Sequence, residues 1–167
     1  MNWNWPKLEV HCPENEAHYS ALKTLFLQYA GSLNFDLEFQ GFNQEMENFP
    51  GKYAPPEGCL LLAREDEDIV GCVALCMLET GICEMKRLYV IPEAQGRGIG
   101  RALVHRVIRE AKAIGYKRMR LDTVPSMQSA RSLYTAAGFK PIDPYRYSPI
   151  EGTMFMELDL TGEKRVH

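Results

Sequence analysis

The sequence predicts an α/β (α+β) domain: a mixed, mostly antiparallel central sheet flanked by helices. Three observations predict it. First, residues 59–64, 69–79 and 82–90 are consecutive apolar, strand-like runs. They are joined by the acidic turn Glu65-Asp66-Glu67-Asp68 and the tight turn Thr80-Gly81, as in hairpins. Second, a helix-periodic stretch at 98–114 links the third run to another strand-like segment at 116–123. A helical crossover implies that those two strands pair in parallel. Third, Gln95-Gly96-Arg97-Gly98-Ile99-Gly100 stands between strand and helix. The first N–H groups of a helix lack internal partners and carry partial positive charge, and glycines let the main chain curl around an anion. Strand, glycine turn and helix start together form a phosphate-binding design.

Length and composition bound the answer. A chain of 167 residues is expected to be one domain, 1–167. Hydrophobic residues at 46% and charged residues at 25% fit a globular protein, and the net charge of −3 gives no pull toward nucleic acid. No apolar run approaches the roughly 20 residues of a membrane span. The start, MNWNWPKLEV, lacks the basic and apolar regions of a secretory signal. The five cysteines, Cys12, Cys59, Cys72, Cys76 and Cys83, include no C-x-x-C pair, and most sit in apolar runs. They read as small buried hydrophobes in a reducing compartment, so a cytoplasmic location is expected; a reactive thiol is the rival reading. No histidine pairs with a cysteine at metal-ligand spacing, and no metal is expected.

In chain order, residues 8–12 alternate enough for a first strand. Pro13 to Glu16 opens a helix whose apolar positions are Ala21, Leu22, Leu25, Phe26 and Tyr29, with Gly31 as its expected C-cap. A short helix is expected at 42–49. The helix at 98–114 sets Ile99, Leu103, Val107, Ala111 and Ile114 on one stripe, with Arg101, Arg106, Arg109 and Lys112 opposite. Gly115 caps it. A last helix at 127–137 closes at Gly138, Phe139 opens a strand, and 153–160 forms a final strand with an edge open to pairing across a homodimer. Strict alternation along 82–90 puts Glu84, Lys86, Leu88 and Val90 on one face and Met85, Arg87 and Tyr89 on the other.

Known phosphate motifs discriminate the glycine turn. A P-loop needs Lys-Ser or Lys-Thr after its glycines, and a dinucleotide fingerprint needs G-x-G-x-x-G; neither is present. What fits is Q-x-x-G-x-G at Gln95, Gly98 and Gly100, preceded by Val90-Ile91-Pro92 and followed by the amphipathic helix. Downstream, Ala130, Leu133, Tyr134, Gly138 and Phe139 spell A-x-x-L-Y-x-x-x-G-F. This pair resembles motifs A and B of the GNAT acetyltransferases. The resemblance covers residues 59–160 well and the first 58 only in outline.

The resemblance implies a V-shaped cleft where a bulged central strand parts from its parallel neighbour, with acetyl-CoA as co-substrate. The backbone of Leu88, Tyr89 and Val90 would meet the pantetheine arm as an added strand, with an N–H near Leu88 facing the acetyl oxygen. Amides of Gln95, Gly96, Arg97, Gly98, Ile99, Gly100 and Arg101 would cradle the pyrophosphate. The Arg97 and Arg101 guanidinium groups either add charge-assisted contacts or are plain surface charge. Tyr134 is implied as the acid that protonates the departing thiolate, or else is a packed tyrosine. Glu84 has the spacing of the base used in one branch of the family. Its alternatives are a salt bridge with Lys86 or Arg87, acceptor recognition, or a water chain in its stead. Many members carry Asn where Met127 stands here, with Ser126 before it as the substitute contact. The implied activity is acetyl transfer to a primary amine of a small molecule or peptide; a non-catalytic acyl-CoA sensor is the other reading. Lys86 and Arg87 would suit a carboxylated acyl group or an acidic acceptor.

Overall fold

The computed structural model describes residues 6–162. Met1 to Trp5, on which the reading of the N-terminus partly rests, lie outside the described residues. Strands β1 (Leu8–His11), β2 (Cys59–Glu65), β3 (Asp68–Glu79), β4 (Ile82–Val90), β5 (Arg118–Thr123), β6 (Lys140–Ile142) and β7 (Met154–Asp159) form one sheet in the order β1-β2-β3-β4-β5-β7-β6. Among the described residues only β4 and β5 pair in parallel; the other pairs are antiparallel. Among the described residues no helix is long and apolar enough to cross a membrane.

Helices α1 (Glu16–Ser32) and α2 (Phe42–Glu47) cover one face, and α3 (Ile99–Ile114) and α4 (Gln128–Ala137) the other. Each face has its own core. Leu22, Leu25, Phe26 and Tyr53 pack on Leu60, Leu62, Cys72 and Ala74. Ile99, Leu103, Val104, Val107 and Ala111 pack on Leu61, Val73, Leu75, Met85 and Met119. The continuous apolar run of β2 is thereby explained, because both of its faces are buried.

Several boundaries differ from the expectation. Gly31 does not end α1, which continues to Ser32 and closes at extended Leu33. Ile114 falls off the α3 stripe and is 38% exposed, whereas Val104 and Ile108 join it. Phe139 belongs to the C-cap of α4, its N–H donating to the Tyr134 carbonyl, and β6 starts at Lys140. The last strand is not an edge. It lies between β5 and β6, with Phe155, Met156 and Glu157 paired on both sides. Period-2 alternation identifies a strand but carries no information about its neighbours.

At Gly71 α3 packs tightly on the sheet. A Cβ there would stand 3.0 Å from the Tyr89 carbonyl oxygen and 3.1 Å from Leu103 Cδ1. Gly71→Ala is expected to destabilise the fold by about 1–3 kcal/mol through overpacking, measured as a lower denaturation midpoint at unchanged m-value.

Candidate active site

Two irregularities in β4 build the site. Cys72 pairs with Tyr89 and Ala74 with Lys86, so Arg87 and Leu88 together oppose Val73 alone. This is a β-bulge. Arg87 takes the strain, with φ of +62°, a region L-residues other than Asn and Asp rarely adopt. Secondly, β4 pairs with β5 only at Ile82↔Arg118, Cys83↔Met119 and Glu84↔Arg120. Beyond Glu84 the two strands part and leave a wedge.

The bulge overturns the alternation expected for this strand. Cys83 and Met85 face α3, and after the extra residue so do Leu88 and Val90. Glu84, Lys86, Arg87 and Tyr89 turn toward the α1–α2 side instead, where Lys86 and Arg87 meet Gln40 and Tyr89 meets Tyr29. The Arg87 side chain is almost fully buried. Its Nε and Nη2 each donate to Glu45 at 3.0 Å, and its Nη1 donates to Gln40 at 2.8 Å. Its guanidinium carbon lies 5.4 Å from the Phe42 ring centroid and 5.9 Å from that of Tyr29.

The glycine turn follows. Gly96 and Gly98 have φ of +84° and +81°, which their missing Cβ permits. The α3 N-cap is Gly98, and no side chain caps the first turn, so its leading amides point outward. Gly100 serves packing: a Cβ there would stand 3.1 Å from Leu133 Cδ1, on α4. The Gln95 side-chain amide donates to the Val90 carbonyl at 3.0 Å and ties the turn to the strand end. A cleft of about 620 Å³ joins this turn to the end of β4 and the start of α4; Glu84, Asp122 and Tyr134 do not line it. Leu88, Tyr89, Val90, Gln95, Gly96, Gly98, Ile99, Gly100, Arg101 and Ser126 all line it, as does Met127. Arg97 does not. Its guanidinium is paired with Glu65 at 2.8 Å and also donates to the Glu93 carbonyl.

Tyr134 lies on α4, 6% exposed, with its ring edge-on to Phe139 at 5.8 Å. Burial first, then the nearby Tyr29 and Asp122, raise its phenol above the ordinary range, so it stays protonated. The cleft-lining Tyr29 and the β5 residue Asp122 are therefore its electrostatic neighbours.

On the α1–α2 side of the wedge lies a network of charges. Glu84 is buried. Its Oε2 accepts from the Tyr145 hydroxyl at 2.6 Å and from Arg146 Nη2, and its Oε1 lies 3.7 Å from Lys86 Nζ. Its ion pairs are thus with Lys86 and Arg146, since Arg87 is committed to Glu45. Asp122 stands two residues past the last β4–β5 pair. It meets Arg146 Nη1 at 3.7 Å. Burial and Glu84 push its carboxyl above the usual carboxylate range, against the pull of Lys86, Arg146 and Arg87. Burial, with Arg87, lowers Lys86, partly offset by Glu84.

Comparison with known proteins decides the family. Residues 19–139 match the model of the acetyltransferase (GNAT) family. The chain belongs to the GNAT family. An uncharacterized N-acetyltransferase of Schizosaccharomyces pombe is 39% identical over 83% of this chain and 86% of its own length. Among solved structures, a GNAT-family acetyltransferase of Staphylococcus aureus superposes with a TM-score of 0.75 at 22% identity, covering 92% of this chain and 99% of that one. A putative acetyltransferase of Salmonella typhimurium, yncA, whose structure includes acetyl-CoA, superposes at 0.68 with 18% identity, covering 94% and 96%.

Within the GNAT domain, the residue that sequence reasoning missed is Asp122. It lies in a run resembling an ordinary half-buried strand, RMRLDT, and only the divergence of β4 from β5 exposes it to the wedge. Arg146 and Tyr145, in the loop before β7, were equally illegible, because no local pattern links them to Glu84 some 60 residues away. The aromatic residues of the first third are mostly packing: Phe26 meets Phe49 and Tyr53 edge-on, while Tyr29 lines the cleft. Burial pushes Cys59 and Cys83 up to about 12, which leaves them as thiols near neutral pH. His11, Glu14 and His18 converge within 4.8 Å, a grouping that a search for His–Cys spacing passes over. There His18 Nδ1 accepts the Glu14 N–H at 3.0 Å and the Asn15 side chain caps α1.

Burial raises Glu45, but Arg87, Tyr53 and Lys52 outweigh it and hold its carboxyl below the usual range. Its contribution is therefore present above the ordinary carboxylate pKa and is lost as pH falls through the lower folded-state value. Glu45→Ala is expected to cost about 3–5 kcal/mol by stranding a buried guanidinium. Urea titration of both proteins at pH 7 measures it, and the gap should shrink in acid.

Proposed function

We propose that this GNAT protein transfers the acetyl group of acetyl-CoA to a primary amine by direct attack in a ternary complex. The observation that carries the proposal is one cleft that joins the open amides before α3 to the end of β4 beyond its bulge, Leu88 to Val90, with Ser126 and Met127 across from them. In this reading the amides from Gly96 to Arg101 take the pyrophosphate, with Arg101 adding charge. Arg97, held by Glu65, contributes its main chain only. The pantetheine arm lies along Leu88 to Val90, with Ser126 and Met127 opposite. An N–H released by the bulge near Leu88 faces the thioester oxygen.

The reaction then balances as follows. The acceptor ammonium gives one proton to a carboxylate of the Glu84–Asp122 pair. The free amine attacks the thioester carbon, so a C–N bond forms and the C–S bond breaks. The departing sulfur takes a proton from the Tyr134 phenol, and the phenol is restored by the second proton leaving nitrogen. Asp122 is assigned the first proton. Glu84 already accepts from Tyr145 and Arg146, whereas Asp122 meets only a distant guanidinium and its raised carboxyl suits a base. Glu84 positions the loop residues around it.

Tyr134→Phe should lower kcat by roughly 10²-fold or more, with acetyl-CoA affinity by calorimetry little changed. An unaltered kcat would remove the phenol from the reaction, and absence of calorimetric binding to the wild type would remove the proposal. Asp122→Asn should lower kcat/KM by a similar factor and erase the rising limb of its pH profile. Because Asp122 is raised, that limb lies at higher pH than an ordinary aspartate would give. A profile unchanged by the substitution would return the base role to Glu84 or water.

A further inference from the structure

Arg146 occupies a peculiar place. It is the cation of a guanidinium clasp between Glu84 on β4 and Asp122 on β5, the two strands that part to form the wedge. The two anions are fixed. Glu84 is 4% exposed at its side chain and Asp122 23%, and both belong to strands paired on their outer sides. The cation is not so fixed. It sits 30% exposed on the loop between β6 and β7, where no regular structure holds it, leaning on the Tyr145 ring at 4.9 Å.

We infer that Arg146 holds the position of the acceptor's ammonium group and is displaced when an acceptor binds. The inference rests on the acetyl-transfer reading and names the acceptor class: a primary ammonium with no carboxylate on the carbon that bears it. The reason is charge. The other two cations of the network are already engaged, Arg87 with Glu45 and Lys86 with Glu84 and Gln40. Withdrawal of Arg146 leaves Glu84 with Lys86 but takes from Asp122 its paired cation, and an uncompensated, largely buried charge is strongly unfavourable. An ammonium restores the balance at that spot. A carboxylate beside the amine would instead meet Glu84 and Asp122 as a like charge.

The competing use of the same residue is that Arg146 stays and spends its remaining N–H groups on an acceptor carboxylate. The two uses predict opposite responses. The probe is the Nε–H resonance of Arg146, assigned by its loss in Arg146→Lys, in the protein saturated with CoA. Titration with propylammonium should shift this signal toward the position of a free arginine, while propionate at equal ionic strength leaves it in place. A signal unmoved by propylammonium, or one that moves with propionate, overturns the inference. This readout needs no turnover. Kinetics supply the second arm, using whichever of phenylethylamine, lysine amide and alanine amide the wild type acetylates. There Arg146→Gln should lower the acceptor KM several-fold while the acetyl-CoA KM holds, and Arg146→Lys should restore the wild-type value. A raised acceptor KM in Arg146→Gln also overturns it. Failure of CoA to bind the wild type would instead count against the acetyl-transfer reading.

Discussion

The paired hydrogen bonds between Arg87 and Glu45 are the interaction on which the site depends. A guanidinium this deeply buried is tolerated only with a carboxylate matched to its planar fork. Here the match also holds a residue in the left-handed region, a conformation costing about 1–2 kcal/mol for a non-glycine residue. The rings of Phe42 and Tyr29 close the guanidinium off from above. The helical roof therefore does more than cover the sheet. It clamps the bulge, and the bulge turns Leu88 and Val90 toward the cleft.

That one extra residue divides the protein's two tasks. On the α3 side of β4 lie apolar contacts and the amide-rich turn, suited to a long cofactor held mainly by main chain. On the α1–α2 side lie the charges, with Arg87 paired to Glu45 and, beside them, Lys86, Glu84, Arg146 and Asp122 alternating in sign. Tyr134 stands where the two meet, close enough to feel Asp122 yet packed in apolar surroundings. Low polarity keeps its proton in place, and burial likewise raises the Asp122 carboxyl.

β4 and β5 share three paired positions and part after Glu84; the bulge follows at Arg87 and Leu88, and β5 continues beside β7. Because β7 is inserted between β5 and β6, the sheet on that side stays continuous without β4. The wedge can thus exist without opening the core, and the loop leading into β7 is carried directly over its mouth.

Sequence alone determined the elements whose signals are local. The glycines of the turn, the helical period of α3 and the L-Y-x-x-x-G-F run fix their own conformations through backbone freedom and apolar spacing. That was enough to read the family and most of the cleft lining. Tertiary structure decided the rest, because it depends on pairs far apart in the chain. No periodicity foretells that a bulge will shift the phase of β4 after Lys86, or that β7 will lie inside the sheet. Nor does any local pattern show that Arg97 is taken by Glu65, that Glu84 is taken by Tyr145 and Arg146, or that Asp122 faces the wedge. Charge pairing acts through space, and the identity of a partner is set only once the strands have found their neighbours.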